Sequence, residues 1–168
     1  MDFSPFILCP PGSRPPKPRQ LGTPEGLGDR MRTAAFAERQ AVAAFIWAAN
    51  TFDDVPDQLR QDWRRQVPEE QKHHDLIVAR MAELGFGLDE RPVSRGLWDS
   101  LTSCQSGEEF CLKIARAEER GRRAGVQLAA FLADDDPVTA AIFREIADDE
   151  VAHVALAATY FGWRPDRD

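Results

Sequence analysis

The sequence predicts an all-α fold: four long helices, with one long connection between the second and the third. Three observations predict it. Apolar residues recur three and four positions apart over four stretches of the chain, the spacing of one helical face. No stretch sustains the period-two alternation of a half-buried strand. At 168 residues with 43% hydrophobic content, the chain is large enough for one domain with a real core, and short for two.

Residues 1–27, "MDFSPFILCPPGSRPPKPRQLGTPEGL", carry too much proline and glycine for a helix. They are expected as an extended arm lying on the domain that residues 28–168 form. "RPPKP" as a polyproline ligand for a partner domain is the alternative. The first helix opens at Asp29. Its stripe is Met31, Ala34, Ala35, Glu38, Ala41, Val42, Phe45, Ala49 and Phe52, and "DDVP" at 53–56 ends it. The second runs from about Pro56 to Leu84 with Trp63, Val67, Glu70, His73, Ile77, Met81 and Leu84 on one face. Pro68 inside it predicts a kink or a restart, because its ring clashes with the carbonyl of Arg64. Gly85 and Gly87 close it.

Residues 85–106 form an unusually long connection, in which "SRGLWDSL" has the look of a short helix. The third long helix covers about Gly107 to Leu132, with Phe110, Ile114, Ala117, Glu118, Gly121, Leu128, Phe131 and Leu132 as its stripe. The fourth starts with Asp136 as N-cap and Pro137 at the first helical position. It continues through Ile142, Phe143, Ile146, Glu150, His153, Val154 and Ala157 towards Gly162.

Each stripe holds a glutamate where an apolar residue belongs. An ionised carboxylate facing a core is very costly unless it is paired or binds a metal. Glu38 and Glu70 are 32 residues apart, and so are Glu118 and Glu150. The second glutamate of each pair is followed three residues later by a histidine, His73 and His153, on the same helical face. The chain therefore reads as two helical hairpins, each offering Glu and then Glu-x-x-His. That is the ligand set of a carboxylate-bridged dimetal site in a four-helix bundle. Oxygen-rich ligation with one imidazole per metal suits two iron ions, or manganese, better than zinc. A ferritin-like bundle also needs one long crossover between its hairpins, which residues 85–106 could supply.

The residues before the motif glutamates, Glu69 and Asp149, are acidic too. Ligating histidines usually donate their second N–H to a carboxylate or carbonyl, so Asp149 is expected to orient His73 and Glu69 to orient His153. His74 and Asp75 are expected at the surface. Cys111, seven residues before Glu118, is either a plain buried cysteine or part of the approach to the site. Ala34, Ala41, Ala117 and Gly121 beside the ligands either leave room for a substrate or permit close helix packing.

The segments "GTPEG", "AERQAV", "PEEQKHHDLIVARMAELG", "GLWDSL", "AEERG" and "IADDEVAHV" together resemble an uncharacterised ferritin-like family, domain of unknown function 455. More distantly they are similar to ferritin-like tRNA hydroxylases. The resemblance implies a ferritin-like bundle with a di-iron site, and carries over Glu38, Glu70, His73, Glu118, Glu150 and His153 as ligands. Phe36, Ala157 and Tyr160 depart from the family's usual histidine, glycine and tryptophan.

The net charge of −7 argues against a general polyanion binder. Arg60, Arg64 and Arg65, and Arg116, Arg120, Arg122 and Arg123, are read as solvated faces, with a local nucleic-acid patch as the alternative. No signal peptide or membrane-length apolar run is present, and the three cysteines, Cys9, Cys104 and Cys111, fit no zinc spacing. Free thiols in a reducing cytoplasm are expected. The leading function is an O2-dependent oxidase or oxygenase of the hydroxylase type, acting on an unidentified small molecule or modified biomolecule. Its electrons would come from a donor protein or from the substrate. The alternatives are a ferroxidase or iron-handling protein, and a metal-stabilised helical scaffold for a partner. Oligomeric state is left open.

Overall fold

The computed structural model describes residues 1–165. They form five α-helices: α1 (Pro24–Thr51), α2 (Asp57–Glu83), α3 (Gly96–Thr102), α4 (Gly107–Leu132) and α5 (Pro137–Phe161). No strand occurs among the described residues, and Leu8 and Val93 form an isolated parallel bridge. No helix among them is long and apolar enough to cross a membrane.

The first helix starts at Pro24, not at Asp29. Thr23 is its N-cap and accepts a hydrogen bond from Gly26 N, with proline in the first turn. This is the same Ncap-Pro signature that opens α5 at Asp136-Pro137, where the Asp136 side chain accepts from Thr139 N. At Gly26 the arm passes so close that a Cβ would lie 1.8 Å from the carbonyl oxygen of Gln20, so only glycine fits. Ser106 caps α4 by accepting from Glu109 N. Gly162 closes α5 at φ 68°, a left-handed cap.

α2 runs unbroken through Pro68, so the expected restart does not occur. Pro68 and Arg64 are both exposed, and the Arg64 carbonyl that loses its donor can turn to water. The expected stripe of α4 drifts at its end. Phe131 is half exposed, and Leu128, Ala129 and Leu132 take the buried face.

Two apolar cores stand at the two ends of the bundle. One gathers Phe45, Ala48 and Phe52 of α1, Leu59 and Trp63 of α2, Phe110, Cys111 and Ile114 of α4, and Ala157 of α5. The other gathers Met31, Ala35 and Phe36 of α1, Ile77 and Met81 of α2, Leu128, Ala129 and Leu132 of α4, and Ala140, Phe143 and Ile146 of α5. The helices α1 and α2 therefore run antiparallel, as do α4 and α5, and these two hairpins make the most extensive contacts. α2 and α4 run in the same direction, so the connection between them must traverse the bundle. It does: Phe86, Leu88 and Val93 pack on the second core, while Leu101 and Cys104 belong to the first.

The arm lies against this frame. Phe3 and Phe6 are buried on Phe36, with ring centroids 5.2 and 4.8 Å away. Cys9 N donates to Val93 O and Val93 N to Ile7 O, tying arm to crossover. Asp29 fastens them further: it accepts from the backbone and guanidinium of Arg19, and pairs with Arg32 and Arg91. Residues 14–18, "RPPKP", are exposed along this arm. All three cysteines are free and buried.

Candidate metal centre

The layer between the two cores is polar. α1 brings Glu38 into it, α2 brings Glu70 and His73, and α5 brings Glu150 and His153. Ligand atoms of Glu38, Glu70, His73 and Glu150 all lie within 4.8 Å of one another, a buried group that could hold a metal ion. His153 adjoins it, with Nδ1 2.8 Å from Glu70 Oε1 and 3.3 Å from Glu150 Oε2. His73 Nδ1 lies 3.4 Å from Glu150 Oε1 and 3.8 Å from Glu38 Oε2. The two oxygens of Glu150 thus face one imidazole each. The imidazole rings are 5.9 Å apart. Glu118 of α4 is near enough for the charges of Glu150, Glu70 and Glu38 to act on it.

The other ring nitrogens face outwards and are held crosswise between helices. His73 Nε2 is 3.2 Å from Asp149 Oδ2, and His153 Nε2 is 2.9 Å from Glu69 Oε2. Lys72 also reaches Asp149 and bonds Glu145. These bonds leave each inward Nδ1 free to act as an acceptor or a ligand.

Inside, close approach does not become hydrogen bonding. Both oxygens of Glu70, both of Glu150, and Nδ1 of His73 and of His153 are buried without a hydrogen-bond partner. Native interiors leave very few polar atoms in this condition, and each is costly. These six are clustered and each can donate a lone pair to a cation, unlike Arg60 Nε and Trp63 Nε1, which with Gln66 Oε1 are also buried without a partner among the described residues. The donor set fits a hard or borderline divalent metal: carboxylate oxygens with imidazole nitrogens.

The titration of the centre carries the same message. Burial pushes Glu70 and Glu118 well above the usual carboxylate range, and the neighbouring carboxylates push the same way. Burial works against charge on the histidines, but the Glu150 and Glu38 carboxylates outweigh it and raise His73 to about 10. Glu150 and Glu69 raise His153 to about 9. Burial also opposes charge on Glu150, yet His153 and His73 hold it down to about 2. Without metal, protons supply the positive charge that this many acids in one layer require.

A cavity of about 430 Å³ opens onto the layer along the seam between α1 and α4. Glu38, Glu118 and Glu150 form its floor. Ala34, Ala41, Ala117 and Gly121, the small residues singled out in the sequence, are in its walls. A Cβ on Gly121 would meet nothing within 4 Å, so Gly121 leaves space that the opposing helix does not fill, whereas Ala41 is also packed in the first core.

The model of the family described as "Protein of unknown function (DUF455)" matches residues 6–168. The chain belongs to the DUF455 family. No curated protein and no solved structure matches this DUF455 chain.

Other expectations are corrected. His74 is not at the surface: its side chain is 14% exposed, bonded to Asp75 and packed on the ring of Phe6. Asp75 is exposed. Of the two readings of Cys111, the plain buried cysteine holds: it is a core residue beside Trp63 and Phe110, burial pushes its thiol up to about 12, and it does not line the cavity. Glu119, which points away from the centre, is nonetheless buried, bonded by Arg122 and Arg123. In this DUF455 chain, Phe36 is buried against Phe3 and Phe6 of the arm. Tyr160 donates to Asp62 at 2.6 Å. Sequence reasoning missed Arg30 and Phe143 as cavity walls. Arg30 was there to find: it lies four residues before Ala34 and eight before Glu38, on the same helical face.

Proposed function

We propose that this DUF455 chain is a ferritin-like, carboxylate-bridged dimetal oxidoreductase. In this reading Glu38, Glu70, His73, Glu118, Glu150 and His153 ligate two iron ions, with manganese as the second choice. The observation that carries the proposal is the coincidence of two features. Buried, unpartnered donor atoms of Glu70, Glu150, His73 and His153 lie beside one another in one layer. Three acids of the same layer, Glu38, Glu118 and Glu150, form the floor of an otherwise largely apolar cavity.

Bound iron would supply O2 activation, with electrons from a donor protein or from the substrate. The chain's own residues do the rest. Glu150 presents one oxygen towards each histidine, so it would help hold metal beside both of them. Asp149 and Glu69 fix the ring orientation of the histidines. Ala34, Ala41, Ala117 and Gly121 make room for a substrate against the floor, and Leu128, Phe143 and Ile146 keep that room apolar. A metal-stabilised scaffold needs no such space beside its ligands, which favours an oxidase or hydroxylase.

The test is metal analysis of the purified full chain beside Glu70→Ala and Glu150→Ala. Near two iron or manganese ions per chain in the wild type, and loss in both variants, is the expected result. A wild type that holds neither metal after anaerobic reconstitution overturns the dimetal assignment. Rapid mixing of the reduced protein with O2 then separates the chemistry from a structural role: an unreactive, metal-loaded protein overturns the oxidoreductase.

A further inference from the structure

The cleft is chemically two-ended. Its floor is acidic, made by Glu38, Glu118 and Glu150. At the other end stand two arginines, Arg30 and Arg122. They differ. Arg122 is neutralised by both carboxylate oxygens of Glu119. Arg30 has no carboxylate partner among the described residues. Its Nη1 donates to two backbone carbonyls, Arg19 O and Gly26 O, each at 2.8 Å. Those bonds hold the guanidinium in place without cancelling its charge. Its Nε and Nη2 bond no protein atom among the described residues, so donors remain for a ligand.

Between the ends the walls are mostly alanine, glycine, leucine, isoleucine and phenylalanine, and the hydroxyl of Thr33 among them is taken up by the Asp29 carbonyl. Arg30 precedes Glu38 by eight residues on α1, so the two ends are about 12 Å apart along the helix axis. The cavity, about 430 Å³, is the size of a pocket for one small molecule. An anion is attracted by the unneutralised arginine, and in the metal-free chain it is also repelled by the carboxylate floor. The apolar part of such a ligand fits the walls between.

We infer that the cleft binds an elongated, apolar molecule ending in a carboxylate or phosphate, with its anionic head at Arg30 and its apolar end against the metal-facing floor. This deepens the proposed function by assigning the substrate class of that site, and it rests on that cleft being the substrate site.

The experiment is calorimetric titration of the full chain, metal-free and metal-loaded, with four ten-carbon probes below their micelle concentrations. They are decanoate, decyl phosphate, decanol and decyltrimethylammonium. Either anion is expected to bind at least about tenfold more tightly than decanol, and the cation most weakly. Comparing decanoate with decyl phosphate tells the two anion sources apart. Arg30→Gln is expected to erase the preference and Arg30→Lys to retain most of it, with thermal melting confirming that both variants fold. Gly121→Leu, whose side chain enters open space, is expected to abolish binding of all four. Equal binding of decanol and the anions, no binding of any probe, or an anion preference that survives Arg30→Gln overturns the inference. An anion preference seen only with metal and surviving Arg30→Gln places the head on the metals, and overturns it too. Failure of metal uptake with the binding pattern intact would remove the dimetal reading alone. A metal-loaded protein that binds no probe would remove this one alone.

Discussion

Asp149 and Glu69 never face the centre, yet each determines which nitrogen of a histidine does. Their bonds to Nε2 of His73 and His153 turn Nδ1 inwards. Asp149→Ala is therefore expected to weaken metal binding about 10- to 100-fold while leaving the fold intact. Competitive titration against a chelator would measure it, and unchanged affinity would remove the orienting role. The charges of the centre give a second expectation. His73 at about 10 and His153 at about 9 carry protons at neutral pH in the metal-free chain. Raised values stabilise the metal-free fold below the ordinary histidine range, and that contribution fades as pH rises through about 9 to 10. On the proposed reading, metal would displace these protons. Loading near pH 7 should release at least about two protons per chain, those of the histidines, with any held by Glu70 and Glu118 in addition, and affinity should rise with pH. An indicator dye in weak buffer would record the release, and its absence would contradict the assignment. At this scale the sequence was unusually legible. Equal spacing of Glu38–Glu70 and Glu118–Glu150 picked out six residues that the fold brings into one layer. His74 was misplaced because its cover, Phe6, comes from the arm, which helical periodicity cannot position.

Helix existence and order were legible as well, since four apolar stripes and their caps are local features. Boundaries were less so. Thr23-Pro24 opens α1 inside a stretch whose other prolines mark extended chain, and composition masked the cap. Pro68 is a strong breaker that does not restart the helix, and both Pro68 and Arg64, whose carbonyl loses its donor, are exposed to solvent. Pro68→Ala should restore a donor to the Arg64 carbonyl and stabilise the chain by about 1 to 3 kcal/mol. Urea denaturation would give the difference. If metal affinity moves in the same variant, Pro68 also sets how Glu70 enters the centre, two residues on. Trp63, two turns before Glu70, is fully buried in the core below the ligand layer. Trp63→Ala should cost about 3 to 5 kcal/mol by leaving a cavity there, again measured by denaturation.

The molecule as a whole is fastened at Asp29, where arm, α1 and crossover meet through Arg19, Arg32 and Arg91. Burial alone would raise this carboxyl, but the Arg19 hydrogen bonds and the Arg91 charge hold it far below the usual range. A lowered value stabilises the fold above the ordinary aspartate range, and the contribution is lost as pH falls through the folded value. Asp29→Asn should cost about 3 kcal/mol, or roughly 10 °C in Tm, because it removes the buried charge that Arg19, Arg32 and Arg91 share, although Arg32 keeps Glu90. The gap between wild type and variant should hold from neutral pH to about pH 4 and close in stronger acid. A gap that widens in acid would refute this account. The same fastening holds Pro18 and Leu21 of the arm in the wall of the cleft, so arm and site are one structure.

Helical periodicity, caps and the repeated Glu, Glu-x-x-His spacing are properties of neighbours along the chain, and the sequence alone determined them. It thereby determined the helices, the hairpins and the ligand candidates. The cavity, the crosswise bonds from Asp149 and Glu69, the cover over His74 and the unneutralised charge of Arg30 were decided only by the tertiary structure. Each depends on groups from separate elements, and no local pattern records how two helices, an arm and a crossover share the space between them.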